Sequence, residues 1–142
     1  MSVVKENILN LTKKELEDFL KKKNIQLFRK NQIWNWLYVH GEYKFSSMHN
    51  LSESIKDTLE ENFVISFLKA SKYYSSNDGT KKWLFKLNDG KEIETVFIPE
   101  GKRGTICVSS QVGCSLSCSF CHTGTMKLER NLTLDEITGQ IL

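Results

Sequence analysis

The sequence predicts an α/β protein: a small helical domain at the front, then strands, then the opening of a parallel β/α barrel. Three observations lead there. The apolar residues follow a helical period up to Phe63 and an alternating period after it. An Asn88-Asp89-Gly90 turn separates two alternating runs. The final third reads as strand, cysteine-rich loop and helix, the order in which a β/α barrel unit begins, with its working loop at the C-terminal end of the strand.

The first helix is expected over residues 11–23, LTKKELEDFLKKK. Thr12 caps it, Glu15 completes a capping box, and Leu16, Phe19 and Leu20 form the stripe that faces a core. The second lies in FRKNQIWNWLYVHG, with Ile33, Trp34 and Leu37 on one face and Gly41 as its stop. The third lies in LSESIKDTLEENF, with Ile55, Leu59 and Phe63. Trp34, Trp36 and Trp83 are expected in the core or at a domain junction. In KKWLFKLNDGKEIETVFIPE, Trp83, Phe85 and Leu87 alternate before the turn, and Ile93, Thr95 and Phe97 after it, which is a β-hairpin. A strand near 67–75 precedes it, ended by Asn77-Asp78-Gly79. RGTICVSSQVG is expected to be one further strand running into the cysteine loop. Thr133 and Glu136 form a second capping box, with Ile137 and Ile141 one turn apart. A helix that starts so well is expected to continue, so the chain reads as the front of a longer protein. The expected divisions are 1–65 for the helical domain, 66–104 for the hairpin and linker, and 105–142 for the start of the barrel.

Composition narrows the classes. The chain has 142 residues, 39% of them hydrophobic and 26% charged, with a net charge of +3. That is a foldable composition with a mild basic bias. No apolar run approaches the roughly 20 residues of a bilayer span, and the N-terminus is not a signal peptide. A cytoplasmic, reducing setting is expected, where clustered cysteines are metal ligands more often than disulfides.

The cysteines carry the chemistry. Cys114, Cys118 and Cys121 are spaced C-x3-C-x2-C, and Cys107 lies just upstream. A structural zinc site usually takes four ligands in two pairs, whereas here one tight trio stands alone. Three thiolates suit a [4Fe–4S] cluster with one iron left open for a substrate. Zinc with Cys107 or His122 as fourth ligand remains the alternative, as part of a small RNA-binding module. Read from its strand alone, Cys107 is a buried core cysteine. Glu94 falls on the hairpin face of Val96 and Ile98, where burial would disfavour the charged carboxylate and poise it as a base. Its plain reading is an exposed strand glutamate. Lys21–Lys23, Arg29, Lys30, Lys81, Lys82, Lys102 and Arg103 suit RNA phosphates, although most such charges are simply solvated.

The segments FRKNQIWNWLYVHG, DGTKKWLFKL, DGKEIETVFIPE and RGTICVSSQVGCSLSCSFCHTGTMKLERNLTLDEITGQIL closely resemble the RlmN family of radical S-adenosylmethionine enzymes. Those enzymes methylate C2 of adenine in ribosomal and transfer RNA. The related Cfr type, which methylates C8, shares the cluster loop. The resemblance implies a radical S-adenosylmethionine partial barrel, a [4Fe–4S] cluster on Cys114, Cys118 and Cys121, and S-adenosylmethionine on the open iron. It implies Glu94 as proton acceptor. It implies Cys107 as the thiol that resolves a covalent RNA intermediate through a transient disulfide. The cysteine that first becomes methylated has no counterpart in these residues. An external electron donor, a monomeric enzyme and no membrane association complete the implied picture, and 142 residues alone would not turn over.

Overall fold

The computed structural model describes residues 5–116, 118–119 and 123–142. The chain divides into two compact units, one running to Phe67 and the other from Leu68 to Ile141.

The first unit holds β1 (Glu6–Asn7), α1 (Lys13–Lys22), α2 (Arg29–Tyr38), α3 (Glu53–Asn62) and β2 (Phe63–Val64), with β1 and β2 paired in parallel. The start of α1 is dictated locally. Glu15 N–H donates to Thr12 Oγ1 at 3.2 Å, and the Glu15 carboxylate accepts the Thr12 N–H at 2.7 Å. Two N–H groups that the first turn would leave without partners are thereby satisfied. The end of α1 is equally local. Asn24 takes φ +56°, Asn24 N–H donates to Lys21 O, and Ile25 N–H donates to Leu20 O at 2.8 Å. That closes the helix with the 6→1 and 5→2 bonds of a Schellman motif, asparagine standing where glycine is usual. Helix α2 ends before Gly41, whose φ of +62° lets the chain turn away. The helices bury Leu9, Leu20, Ile33, Met48 and Leu59 completely, and Trp34 and Trp36 pack against that core.

The second unit is built on a four-stranded antiparallel sheet in the order β3 (Ala70–Ser75), β4 (Lys81–Lys86), β5 (Glu92–Glu100) and β6 (Arg103–Cys107). The Asn-Asp-Gly turn sits where expected. Gly90 has φ +83°, and Asp89 Oδ1 accepts the Lys91 N–H at 3.1 Å. Register follows from the turn, with Trp83 opposite Thr95 and Phe85 opposite Ile93. That face buries Phe85, Leu87 and Ile93 with Val112 and Leu132, and Trp83 and Ile137 pack against them. Then come β7 (Gln111–Val112) and β8 (Arg130–Asn131), paired antiparallel, and α4 (Leu134–Thr138).

Two expectations need correction. RGTICVSSQVG is not one strand: it leaves the sheet after Cys107 and resumes pairing only at Gln111, now with β8. The cause is the buried Gln140, which captures Ser109 on both its backbone groups. The stripe expected on the last helix also ends early. Helix α4 stops at Thr138, and Ile141 is 60% exposed. The named strands of the second unit all pair antiparallel. Among the described residues no helix is long and apolar enough to cross a membrane.

Candidate active site

Cross-strand pairing decides which side chains meet. Side chains alternate across a strand, and directly opposed residues share a face. Val96 lies opposite Cys107, and Glu94 is two residues before Val96. Glu94 and Cys107 therefore stand on one face of two neighbouring strands. The sheet's other face carries the core.

Cys107 is exposed and its thiol is free, which removes the reading of a buried strand cysteine. Glu94 is not in the apolar setting expected of it. Lys82 on β4 places its Nζ 3.1 Å from the Glu94 carboxylate, and about half of that side chain is exposed, 50%. The lysine is there because Lys82 faces Val96 across the hairpin, one alternation along from Glu94.

A buried polar hub ties this face to the start of the cysteine loop. Gln140 Oε1 accepts from Thr95 Oγ1 and from Ser109 N–H, each at 2.8 Å. Gln140 Nε2 donates to Ser109 O at 2.8 Å and to Glu136 O at 2.9 Å. Ser109 Oγ donates in turn to Glu94 O at 2.8 Å. All four hydrogen-bonding positions of the amide are used, so its burial carries no desolvation penalty from an unpaired group. Ser109 thus fixes the backbone between Cys107 and Cys114 against the backbone of Glu94. Arg130 braces the same region. It donates to both carboxylate oxygens of Glu136, at 2.7 and 2.8 Å, and to Asp89 in the hairpin turn at 2.8 Å. The guanidinium beside Glu136 holds that carboxyl below its usual range, and the two carboxylates push the guanidinium further up.

The loop itself is closed by backbone. Cys114 bridges Lys127, and Cys114 N–H donates to Met126 O at 3.1 Å. Gly113 has φ +77°, and a Cβ there would lie 2.1 Å from Lys127 O. A Cβ on Gly124 would lie 2.7 Å from Cys118 O and 2.8 Å from Cys118 N. Only glycine permits either approach. Cys114 Sγ accepts the Leu116 N–H at 3.4 Å, and Cys114 and Cys118 are both free thiols, half-buried. These features fit a sulfur-ligated iron cluster: Cys114 and Cys118 stand as free thiols close in sequence, the first held by main chain, with no disulfide between them. Cys121 and His122 lie outside the described residues, and among the described ones no three His, Cys, Asp or Glu side chains come together.

The fold and the loop set the class. The chain is similar to the crystal structure of a radical SAM methyltransferase from Sphaerobacter thermophilus, with a TM-score of 0.81 and 36% identity over 96% of this chain and 40% of that one. Residues 6–65 match the family model described as the ribosomal RNA large subunit methyltransferase N-terminal domain. Two curated relatives carry the description dual-specificity RNA methyltransferase RlmN. The one from Dinoroseobacter shibae is 48% identical over 97% of this chain and 36% of its own length. The one from Rhodospirillum rubrum is 46% identical over 96% of this chain and 32% of its own. The chain is similar to RlmN-family proteins over nearly its whole length, and it spans about a third of the length of these relatives.

Glu94, Cys107, Cys114 and Cys118 were all marked by the sequence. Lys82, Ser109, Gln140 and Arg130 were not singled out for this site. For Lys82 a signal existed, because the Asn-Asp-Gly turn fixes the hairpin register and hence its neighbours.

Proposed function

We propose that the chain is part of an RNA methyltransferase that places a methyl group on C2 of adenine in large-subunit ribosomal RNA and in transfer RNA. The observation that supports this reading best is the placement of Glu94 and Cys107 on one sheet face, at the entry to the Cys114–Cys118 loop. We assign the first unit to an accessory domain that helps hold structured RNA, and residues 105–142 to the start of a radical S-adenosylmethionine barrel.

Cys114, Cys118 and Cys121 would hold a [4Fe–4S] cluster whose open iron takes S-adenosylmethionine, and this pair supplies one-electron cleavage chemistry when bound. Two residues of this chain take part in the later steps. Glu94 accepts the proton from adenine C2. Lys82 must move off that carboxylate first, because its Nζ stands 3.1 Å from the oxygen. Cys107 then resolves the covalent link between the RNA and a methylated cysteine that lies outside these residues. Its thiolate attacks the linking sulfur, an S–S bond forms and the C–S bond breaks. The electron pair passes to the departing carbon, which takes a proton to become the product methyl group. The exposure of Cys107 supports this role, because a buried thiol could not reach an RNA-linked sulfur. An external electron donor, a cytoplasmic setting and a monomeric state belong to the same proposal.

The test uses the enzyme completed to family length. The expected product is adenosine methylated at C2, read by mass spectrometry of digested RNA; methylation at C8, or none, overturns the reading. Cys107→Ala should accumulate protein bound to RNA, a nuclease-sensitive slow band on a denaturing gel. Normal turnover by that variant would remove Cys107 from the mechanism.

A further inference from the structure

Four residues lie directly opposite one another across the whole sheet: Tyr74 on β3, Lys82 on β4, Val96 on β5 and Cys107 on β6. They share one face and so form a straight row from an aromatic ring, through a cation and an aliphatic side chain, to a thiol. Tyr74 is 51% exposed, and Lys82 Nζ sits 5.3 Å from the centre of its ring. Lys72 stands on the same face, exposed and opposite Leu84. Its charge adds to that of Lys82, which pairs with Glu94. Strands lie about 4.8 Å apart, so Tyr74 and Cys107 are separated by about 14 Å across the sheet. That span suits two or three unstacked nucleotides.

We propose that this row is a docking strip for single-stranded RNA, in which Tyr74 stacks a base flanking the reacting adenine and Lys82 takes its phosphate. The reasoning is chemical. A half-exposed aromatic ring on a rigid strand, beside a lysine, is the pairing that binds unpaired nucleotides: the ring takes any base face and the cation takes the backbone. A duplex offers no free base face to Tyr74, so the strip selects looped or extruded nucleotides. Lys82 also gains a second consequence. A phosphate that draws Lys82 away from Glu94 frees the carboxylate when RNA is in place. The strip deepens the proposed function and rests on it for the adenine at the Cys107 end.

The experiment titrates a short fluorescein-labelled, adenosine-containing single-stranded RNA into the 142-residue chain and follows anisotropy over a series of salt concentrations. Tyr74→Ala should weaken binding about tenfold with the salt slope retained, and Tyr74→Phe should restore it. Lys82→Ala should reduce the magnitude of the salt slope by about 0.7, the contribution of one phosphate contact on a single strand. Blunt duplex RNA should bind more weakly than the single strand. The strip is overturned if the wild-type chain does not bind, if Tyr74→Ala binds like wild type with an unchanged circular dichroism spectrum, or if the duplex binds equally well. In the complete enzyme the two readings separate. C2 methylation with an RNA KM unaffected by Tyr74→Ala removes the strip and keeps the function. Strip-dependent binding without C2 methylation does the reverse.

Discussion

The two units bury their apolar side chains differently. In the helical unit Leu9, Leu20, Ile33, Met48 and Leu59 are sealed to 0% exposure. In the sheet unit Phe85, Ile93, Val112 and Leu132 keep 4–8%, and one whole sheet face carries Tyr74, Lys82, Glu94 and Cys107 into the open. Among the described residues, a sheet with one face open forgoes the burial that a second layer would add. The sheet unit supplements its smaller apolar core with the Gln140 and Arg130 hydrogen bonds.

The sharpest way to break that contrast is a cavity in each core. Leu59→Ala should cost about 3 kcal/mol, and Leu87→Ala in the smaller core nearer 2 kcal/mol, both by denaturant unfolding. An equal or larger loss at Leu87 would erase the difference. The next effect belongs to the loop. Gly113→Ala adds about 1–2 kcal/mol of left-handed backbone strain to the clash with Lys127 O, and should cost the loop its closure. Iron retained after anaerobic reconstitution reads this, with far-UV circular dichroism unchanged; full iron would show that the closure is dispensable. Smaller again is Thr12→Ala, which removes one cap bond from α1 and should cost the helical unit about 1 kcal/mol.

The smallest effect is a pH dependence within the sheet unit. Glu136 has its carboxyl lowered by Arg130, so its contribution is complete above the ordinary carboxylate range and is lost as pH falls through the depressed folded value. The sheet unit should therefore lose stability on acidification below about pH 4, and Glu136→Gln should flatten that loss. The acid-unfolding midpoint measures it. An unchanged profile would show that the Arg130 bridge contributes only geometry.

What was legible in the sequence was local. Thr12 with Glu15, and Asn88-Asp89-Gly90, specify their structures within a few residues, and the cysteine spacing needs no fold at all. What was not legible depends on distance along the chain. Gln140 meets Thr95 across 45 residues and Ser109 across 31, and Arg130 meets Asp89 across 41. No local pattern marks such partners, because each carries a common polar side chain whose value comes only from what the fold places beside it. The break after Cys107 was missed for that reason. The sequence there alternates well enough for a strand, and a glutamine far downstream overrules it. The apolar setting expected of Glu94 differs for another reason: its face follows from the strand alternation, but Lys82 on the neighbouring strand does not enter that pattern.

The Gln140 hub has an evolutionary consequence. Its amide satisfies the buried Thr95 hydroxyl and both main-chain groups of the half-buried Ser109, so loss of that amide removes a partner from all three at once. Change at Thr95 and Gln140 should therefore be tolerated jointly and rarely singly. Related sequences should show these two positions varying as a correlated pair, while Ser109, engaged chiefly through its main chain, drifts more freely among small residues.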